Sequence, residues 1–326
     1  LRRRDLNTAW HGKDMMPAVG ECTAEAMVDA LGAFLGQYQS HPGVASARAW
    51  LDANTELRQS VAGRLTEPLP GRPPSFCIGC PERPVFSALK LAQQEVGPVH
   101  IAADIGCHAF GTFEPFSSGH SILGYGMSLA SRAGVSPMMS RRVLSIMGDG
   151  GFWHNGLLTG VQSALFNQDD AVLLIFKNGY TSATGTQEII STPDEDARAN
   201  APDKQQSLAH KNQTIEQTLR GMGVGWMRTV HTYRVDQMRR TLTEAFTTKY
   251  SGLKVIIAEG ECQLERQRRL KPWIAGLLKA GKRAVRVKYG VDEDVCTGDH
   301  ACIRLSGCPT LTIKDNLAWI ANLQIA

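Results

Sequence analysis

The sequence has no long hydrophobic run. Its longest unbroken apolar stretch is Ala171–Phe176, whereas a membrane-spanning helix needs roughly 20 such residues. The first residues, LRRRDLNTAWHGKD, contain arginines but no apolar core behind them, so they do not predict a secretory signal. We therefore expect a soluble, cytoplasmic protein with no membrane partner.

Cysteine is too scarce for a disulfide scaffold, with eight in 326 residues. In a reducing compartment, cysteines at short spacings more often bind metals or take part in redox chemistry. Neither sign of charge dominates, because 35 basic and 31 acidic residues leave a net charge of only +4. That bias is too weak to predict a nucleic-acid partner. A hydrophobic fraction of 43% excludes wholesale disorder.

Short apolar runs alternate with helical patterns in the middle of the chain. The predicted strands are Val99–Ala103, Val143–Met147, Ala171–Phe176 and Val255–Ala258, and a helical pattern covers Asn155–Asn167. Continuous apolar strands separated by helices are typical of parallel sheets with helices on both faces. The sequence therefore predicts an α/β fold with a doubly wound parallel sheet.

Composition divides the chain into four predicted segments. Residues 1–70 form a helical linker segment that ends near the proline-rich stretch Pro68–Pro74. Residues 71–265 form the α/β domain. Residues 266–290 form a basic linker, since nine Lys or Arg and no acidic residue lie between Glu265 and Asp292. Residues 291–326 form a small cysteine-bearing module.

Two polar residues follow neighbouring predicted strands. The motif Gly148-Asp149-Gly150-Gly151 follows one strand directly, and Asn178 follows the next strand after one lysine. In a right-handed βαβ unit these strand ends lie side by side, where ligands of α/β sheets bind. Carboxylate and carboxamide oxygens suit Mg²⁺ or Ca²⁺. The glycines would let the backbone approach a diphosphate, with N–H groups offered by a helix that starts at Asn155.

Gly-Asp-Gly is also common in plain strand-to-helix turns. The asparagine, separated from Gly150 by 27 residues, favours the binding interpretation, because the combination resembles the thiamine diphosphate fingerprint.

Four cysteines form a second candidate site. Cys77 and Cys80 make a C-x-x-C motif, and Cys107 and Cys262 each follow a predicted strand. Strand ends of a parallel sheet share one edge, so we expect these thiols near Asp149. A Cys₄ site suits either Zn²⁺ or an iron–sulfur cluster, and the spacing leaves both open.

Four stretches together resemble a known family: RPPSFCIGCPERPVFSALK, ADIGC, GDGGFWHNG and LLIFKNGYTSATGTQ. They resemble the diphosphate-binding domain of indolepyruvate:ferredoxin oxidoreductases and, more broadly, the pyruvate:ferredoxin oxidoreductase superfamily. The resemblance covers residues 72–265 and extends weakly over 290–310. It implies a sheet of the thiamine diphosphate-binding type. It also implies that Mg²⁺ binds the diphosphate through Asp149, Asn178 and the Tyr180 carbonyl, and that Cys77, Cys80, Cys107 and Cys262 bind a [4Fe–4S] cluster.

The family's activity is an expectation from the same resemblance. A 2-oxoacid, such as an aryl pyruvate, would be decarboxylated oxidatively to an acyl-coenzyme A, with electrons passed to iron–sulfur clusters and ferredoxin. Only about 70 residues precede the C-x-x-C motif, too few for the family's pyrimidine-binding domain. Another domain or subunit is therefore expected as a partner, in a hetero- or homo-oligomer.

The C-terminal module could hold a second iron–sulfur cluster. Cys296, Asp299, Cys302 and Cys308 are the candidate ligands, with the aspartate at the place of a second thiolate. Oxygen ligation would weaken such a cluster, and a loop with unligated thiols is the alternative.

Two further assignments and two rival functions remain open. His154 is a candidate general acid or substrate-carboxylate contact, or else a surface residue at a helix start. The basic stretch Arg266–Lys288 would dock an acidic ferredoxin, or else be a solvated linker. The rival functions are a non-redox thiamine diphosphate decarboxylase or synthase with a structural zinc, and a non-catalytic electron-transfer subunit.

Overall fold

A computed structural model describes most of the chain. The described residues are 9–20, 22–37, 42–65, 75–192, 213–285, 289–308, 310–315 and 317–320. The chain divides into two compact units, Leu1–Pro73 and Pro74–Ala326. The whole proline-rich stretch predicted as a boundary lies outside the described residues, as do Arg286 and Lys288 of the basic stretch. The four-segment division therefore stays a prediction.

The described residues of the first unit form two helices, within the segment expected to be helical. Helix α1 spans Ala24–Gly36 and α2 spans Pro42–Ala62. The Thr23 side chain caps α1 by accepting a hydrogen bond from the Ala26 amide at 3.2 Å. The helices approach closely at Gly32, where a Cβ would lie only 2.5 Å from Leu51 Cδ1.

The second unit is built on a six-stranded parallel sheet with strand order β2-β1-β3-β4-β8-β7. Its strands are β1 Ile101–Ala103, β2 Ser121–Ile122, β3 Leu144–Gly148, β4 Val172–Lys177, β7 Trp226–His231 and β8 Lys254–Glu259. Two antiparallel pairs are separate from it: β5 Tyr180–Thr181 with β6 Gln187–Glu188, and β9 Leu311–Lys314 with β10 Leu317–Ile320. The predicted doubly wound α/β fold is confirmed.

Helices connect and cover these strands. They are α3 Arg83–Val96, α4 Ser128–Val135, α5 Asp149–Gly151, α6 Ser163–Phe166, α7 Ile215–Gly221, α8 Val235–Thr247, α9 Gln263–Lys279 and α10 Ala301–Arg304. Short 3₁₀ segments cover Cys107–Thr112 and Ser136–Met138, and a π-helical segment covers Phe152–Gln162. No helix among the described residues is long and apolar enough to cross a membrane.

Two sequence-based expectations differ from this arrangement. The helix expected over Asn155–Asn167 begins earlier, because α5 starts directly after β3 and continues into the π-helical segment. Helix α9 begins directly after Cys262 and covers much of the stretch predicted as a basic linker.

The core lies on both faces of the sheet. In β4, Val172, Leu174 and Phe176 point into one cluster, which includes residues of α3 and α8. Leu173 and Ile175 point into the other cluster, with the π-helical segment and α7. Successive side chains of a strand point to opposite faces, so burial of both faces explains why β4 is continuously apolar.

Because the strands are parallel, all their amino ends lie at one edge of the sheet and all their carboxyl ends lie at the other. At the amino edge the buried Lys254 amine binds the Asp170 carboxylate, which also accepts a hydrogen bond from Arg142 Nε at 3.0 Å. The carboxyl edge instead presents Asp104, Asp149 and Asn178 after β1, β3 and β4. The chemistry-bearing residues therefore gather at the carboxyl edge.

Candidate active site

A cavity of about 480 Å³ lies at the carboxyl edge of the sheet. Its walls come from the residues that follow β1, β3 and β4 and from the loop between β5 and β6. Sequence-predicted residues that line it are Cys107, Gly148, Asp149, Gly150, Gly151, His154, Asn178 and Tyr180. The structure thus brings both halves of the predicted diphosphate motif into one cavity.

Asp149 supplies a buried carboxyl group to this cavity. Its Oδ1 accepts a hydrogen bond from the Gly150 amide at 3.0 Å. Its Oδ2 accepts from the amides of Asn178 at 2.8 Å and Gly179 at 2.6 Å. Burial nevertheless raises the pKa of Asp149 to about 7, because backbone dipoles offset only part of the cost of desolvation. A cation bound to this carboxylate would offset the rest of the cost of burying its charge.

Asn178 begins a tight turn after β4. Gly179 adopts φ +88°, a left-handed conformation that glycine accepts without strain. The Asn178 Oδ1 accepts hydrogen bonds from the Tyr180 amide at 3.1 Å and the Ser182 hydroxyl at 2.9 Å. The turn thus brings the Asn178 and Gly179 amides to the Asp149 carboxylate, and Asn178 and Tyr180 line the same cavity as Asp149. This set of hard oxygen donors fits Mg²⁺, which fills its remaining positions with water and phosphate oxygens.

The glycines of the motif have different roles. A Cβ on Gly150 would lie 2.3 Å from Thr181 Oγ1, and one on Gly151 would lie 2.2 Å from Asp104 Oδ2. These two glycines therefore allow close packing of the protein itself. At Gly148 a Cβ would meet nothing within 4 Å, so its backbone borders open space that a diphosphate could occupy. The helical run starts at Asp149, closer to this space than the expected start at Asn155.

His154 lies at the cavity, within a short hydrogen-bonded chain. Its Nδ1 is 3.1 Å from the Tyr125 hydroxyl, which is 3.1 Å from Thr181 Oγ1. The His154 side chain is exposed but lines the cavity. The structure therefore places the predicted proton-transfer residue where a cavity ligand can reach it, and adds Tyr125 and Thr181 as partners that the sequence did not indicate.

Glu82 is a cavity residue that sequence reasoning missed. It is only 3% exposed, and its Oε1 is 3.4 Å from the Asn178 Nδ2. Burial raises the pKa of Glu82 to about 7, and its Oε2 has no hydrogen-bond partner among the described residues. Glu82 directly follows the C-x-x-C-P sequence and precedes α3. Its position as a charged residue beside a candidate metal-binding motif is the sequence feature that could have identified it.

A buried acid–histidine pair forms another part of the wall. The His108 Nε2 lies 2.6 Å from Asp104 Oδ1, and Asp104 Oδ2 accepts a hydrogen bond from the Gly126 amide at 2.7 Å. Burial alone would lower the pKa of His108, but the Asp104 carboxylate raises it above its usual value. Asp104 follows β1 as Asp149 follows β3, so the strand-end argument could have found it.

The four candidate cluster thiols lie near one another. Cys80 and Cys262 are buried, Cys107 is half-buried and Cys77 is exposed. Burial raises the pKa of Cys107, and the negative charges of Glu82 and of the other three thiols raise it further. In the described parts of the chain, however, no three His, Cys, Asp or Glu side chains are arranged so that they could hold a metal ion. The structure gathers these cysteines without forming a ligand set.

In the C-terminal module, too, the candidate ligands form no metal-binding set among the described residues. Asp299 is exposed and accepts a hydrogen bond from the Ala301 amide at 3.1 Å, just before α10. Cys302 is exposed, and Cys296 and Cys308 are half-buried. Burial opposes ionisation of Cys308, but hydrogen bonds from Thr310 and the charge of Arg83 hold the pKa of its thiol below the usual value. The second cluster remains a prediction.

Three arginines of the basic stretch have partners within the chain. Arg266 Nε lies 3.5 Å from Glu261 Oε2, and Arg269 also pairs with Glu261. Arg268 Nη1 donates to the Gly185 carbonyl at 2.8 Å. The exposed basic residues beyond them are Lys271, Lys279, Lys282 and Arg283. A ferredoxin-docking surface would therefore depend more on the second half of this stretch.

Comparisons with known proteins agree with this geometry. Residues 104–258 match the family described as thiamine pyrophosphate enzyme, C-terminal TPP binding domain. The chain is 28% identical over 324 residues to an indolepyruvate oxidoreductase subunit IorA of Pyrococcus abyssi, covering 94% of this chain and 44% of that protein. An IorA of Archaeoglobus fulgidus is 29% identical over 248 residues, covering 76% of this chain and 36% of that protein.

Among solved structures, the chain is similar to a 2-oxoglutarate:ferredoxin oxidoreductase from Magnetococcus marinus. The identity is 15% and the TM-score 0.48, over 60% of this chain and 66% of that chain. The chain spans less than half the length of the curated relatives it matches. The resemblance stated from the motifs is confirmed: the chain is similar to indolepyruvate oxidoreductase subunits over most of its length, and its parallel sheet lies largely in the region that matches a thiamine pyrophosphate-binding domain.

Proposed function

We propose that this chain is the diphosphate-binding part of a thiamine diphosphate-dependent 2-oxoacid:ferredoxin oxidoreductase. The observation that supports this most strongly is the Asp149 carboxylate, buried without full charge compensation in a cavity inside the matched domain. A Mg²⁺–diphosphate group would bring the cation that this site calls for. The names of the relatives suggest an aryl pyruvate, such as indolepyruvate, as the substrate.

The residues around the cavity would divide the binding task. Asp149, the Asn178 carboxamide and the Tyr180 carbonyl would hold Mg²⁺, and the backbone at Gly148 would border the diphosphate. Glu82, through its contact with the Asn178 amide, would keep that side chain oriented. Bound thiamine diphosphate would supply the carbanion chemistry that cleaves a 2-oxoacid, with coenzyme A as the acyl acceptor.

His154 would hold and transfer a proton at the cavity. Its Nδ1 is occupied by the Tyr125 hydroxyl, so exchange with a ligand would use the other ring nitrogen. An imidazole ring can both accept and donate a proton, which suits this role. The Tyr125–Thr181 contact at 3.1 Å would keep the ring in place.

The iron–sulfur part of the proposal depends on Cys77, Cys80, Cys107 and Cys262. It is supported by their gathering at the carboxyl edge and by the mutual effect of their charges. The thiols would have to converge further to hold a [4Fe–4S] cluster, since no three of them are arranged to hold a metal ion in the described part of the chain. A pyrimidine-binding domain or subunit, and ferredoxin as electron acceptor, would complete the enzyme.

Titration calorimetry of the chain with thiamine diphosphate at fixed Mg²⁺ tests the cofactor site. Asp149→Ala should abolish binding, because it removes a formal charge from the metal site. Asp236→Ala is the matched control, since this exposed aspartate lies on α8 and pairs with Arg239 at 2.9 Å. Unchanged affinity in Asp149→Ala would show that the cofactor site is wrong. Aldehyde release without reduction of ferredoxin would instead support the non-redox decarboxylase.

A further inference from the structure

Thr186 is held in an unusual backbone conformation beside the cavity. Its φ is +61°, in the left-handed region that β-branched residues rarely occupy. The residue belongs to the loop between β5 and β6. Ser182, Ala183 and Thr184 of this loop line the cavity, and so does Gln187 at the start of β6. Such conformations persist only where surrounding structure holds them, and they often occur at functional sites. The partners of Thr186 therefore need identification.

Two charged residues of α9 bind this threonine. The Thr186 hydroxyl donates to Glu265 Oε2 at 2.9 Å and accepts a hydrogen bond from Arg268 Nη1. The same Arg268 nitrogen donates to the neighbouring Gly185 carbonyl at 2.8 Å. Glu265 and Arg268 are three positions apart, so they lie on one face of the helix. Glu265 is only 3% exposed and Thr186 only 8%, which protects their bond from water.

The flanks of the loop are fixed separately. The Thr192 hydroxyl donates to the Gly179 carbonyl at 2.6 Å, and Trp153 Nε1 donates to Ser191 Oγ at 2.8 Å. These bonds anchor the chain before and after the cavity-lining residues. The hydrogen bonds from α9 hold the stretch of loop that lies between these two anchored flanks. They join the loop to a helix about 80 residues further along the chain.

We propose that Thr186, Glu265 and Arg268 form a clasp that positions the Ser182–Gln187 wall for the ligand of this cavity. The identity of that ligand, Mg²⁺ with thiamine diphosphate, rests on the proposed function. Without the clasp the loop samples other conformations, and ligand binding has to select the competent one. If one molecule in ten is competent, the apparent affinity falls about tenfold.

The clasp also gives α9 a positioning role. The helix begins directly after Cys262, one of the candidate cluster thiols. A displacement of this helix at its first turn therefore reaches the cavity wall through Glu265 and Arg268.

The test compares four variants of the chain. Thr186→Val removes the hydroxyl and keeps the side-chain shape, whereas Thr186→Ser keeps the hydroxyl. Arg268→Gln removes the exposed partner without opening the core, and Arg266→Gln is its matched control because Arg266 pairs with Glu261. Calorimetric titration measures affinity for Mg²⁺–thiamine diphosphate. Hydrogen exchange of residues 182–187 in the ligand-free chain measures loop opening.

We expect Thr186→Val and Arg268→Gln to bind the cofactor about tenfold more weakly and to exchange faster at residues 182–187. Thr186→Ser and Arg266→Gln should match the unmodified chain in both measurements. Unchanged exchange in both Thr186→Val and Arg268→Gln overturns the clasp, and so does an equal loss in Arg266→Gln. If the unmodified chain binds no thiamine diphosphate, the proposed function fails, and the exchange rates alone decide the clasp. Should Thr186→Val not fold, Arg268→Gln decides by itself.

Discussion

Replacing Asp149 with asparagine should stabilise the ligand-free chain while abolishing its response to Mg²⁺ and thiamine diphosphate. Burial raises the pKa of this carboxyl from 3.8 to about 7. The unfolded chain releases the proton near pH 4, but the folded chain holds it until about pH 7. Asp149 therefore lowers the stability of the folded chain progressively as pH rises through this window. Asparagine has no charge to bury.

The structure sets the size of this effect. A rise of about 3 in pKa corresponds to about 4 kcal/mol, all of it present above pH 7. Asparagine can still accept from the Asn178 and Gly179 amides, but its NH₂ group would face the Gly150 amide. Losing that hydrogen bond costs about 1 kcal/mol. We expect a net gain of about 2–3 kcal/mol at pH 8, or roughly 4–12 °C in Tm. Near pH 4 the gain should vanish.

Thermal unfolding under reducing conditions, with EDTA, at pH 4.5 and pH 8 measures this difference. Adding Mg²⁺ and thiamine diphosphate should then raise the Tm of the unmodified chain and leave Asp149→Asn unchanged. The control is Asp236→Asn, whose exposed carboxyl has its pKa lowered by a hydrogen bond from Arg239. A gain of equal size at both pH values, or a loss at pH 8, would refute the reasoning that Asp149 is an uncompensated charge.

Three further predictions concern neighbouring groups. Iron analysis of anaerobically prepared protein should find an iron–sulfur cluster whose visible absorption is lost in Cys107→Ser; one zinc per chain and no iron would contradict it. Glu82→Ala should raise the Mg²⁺ concentration needed for cofactor binding, whereas Glu82→Gln, which retains an acceptor for the Asn178 amide, should not. An equal rise in both variants would show that Glu82 acts through its charge. Reduction of ferredoxin should slow as salt rises, and Lys279→Gln with Lys282→Gln should flatten that dependence while leaving reduction of a neutral dye unchanged. A rate of ferredoxin reduction that does not depend on salt would show that the segment is a solvated linker.

The strands that position the site could be predicted because both faces of the central sheet are covered. Burial on both sides makes β3 apolar except for Ser145 and makes β4 apolar from Val172 to Phe176. The polar residues that follow then mark the carboxyl edge. Strand β7 escaped prediction for the opposite reason. It lies at the edge of the sheet, where Trp226 and Val230 are buried but Arg228 and Thr229 are exposed, so no apolar run identifies it.

Sequence reasoning found part of the cavity and missed its other walls. Asp149 and Asn178 follow strands, and a rule about strand ends reaches them. Glu82 and Tyr125 come from turns whose positions depend on how α3 and α4 pack, and spacing along the chain does not encode this. Cysteine spacing likewise predicted that the thiols would be neighbours. Convergence of their sulfur atoms on one point is a finer property, set by side-chain conformation.

The π-helical segment Phe152–Gln162 gives this chain an unusual tolerance to changes in length. A π-helix bonds each residue to the fifth one along, whereas an α-helix bonds it to the fourth. Deleting one residue within the segment can therefore tighten a wide turn into an ordinary one, with Asp149 before it and Phe166 after it left in place. The same deletion in β4 would move every later side chain of that strand to the opposite face of the sheet. Single-codon deletions should accordingly be accepted in the second half of the segment and rejected in the strands on either side.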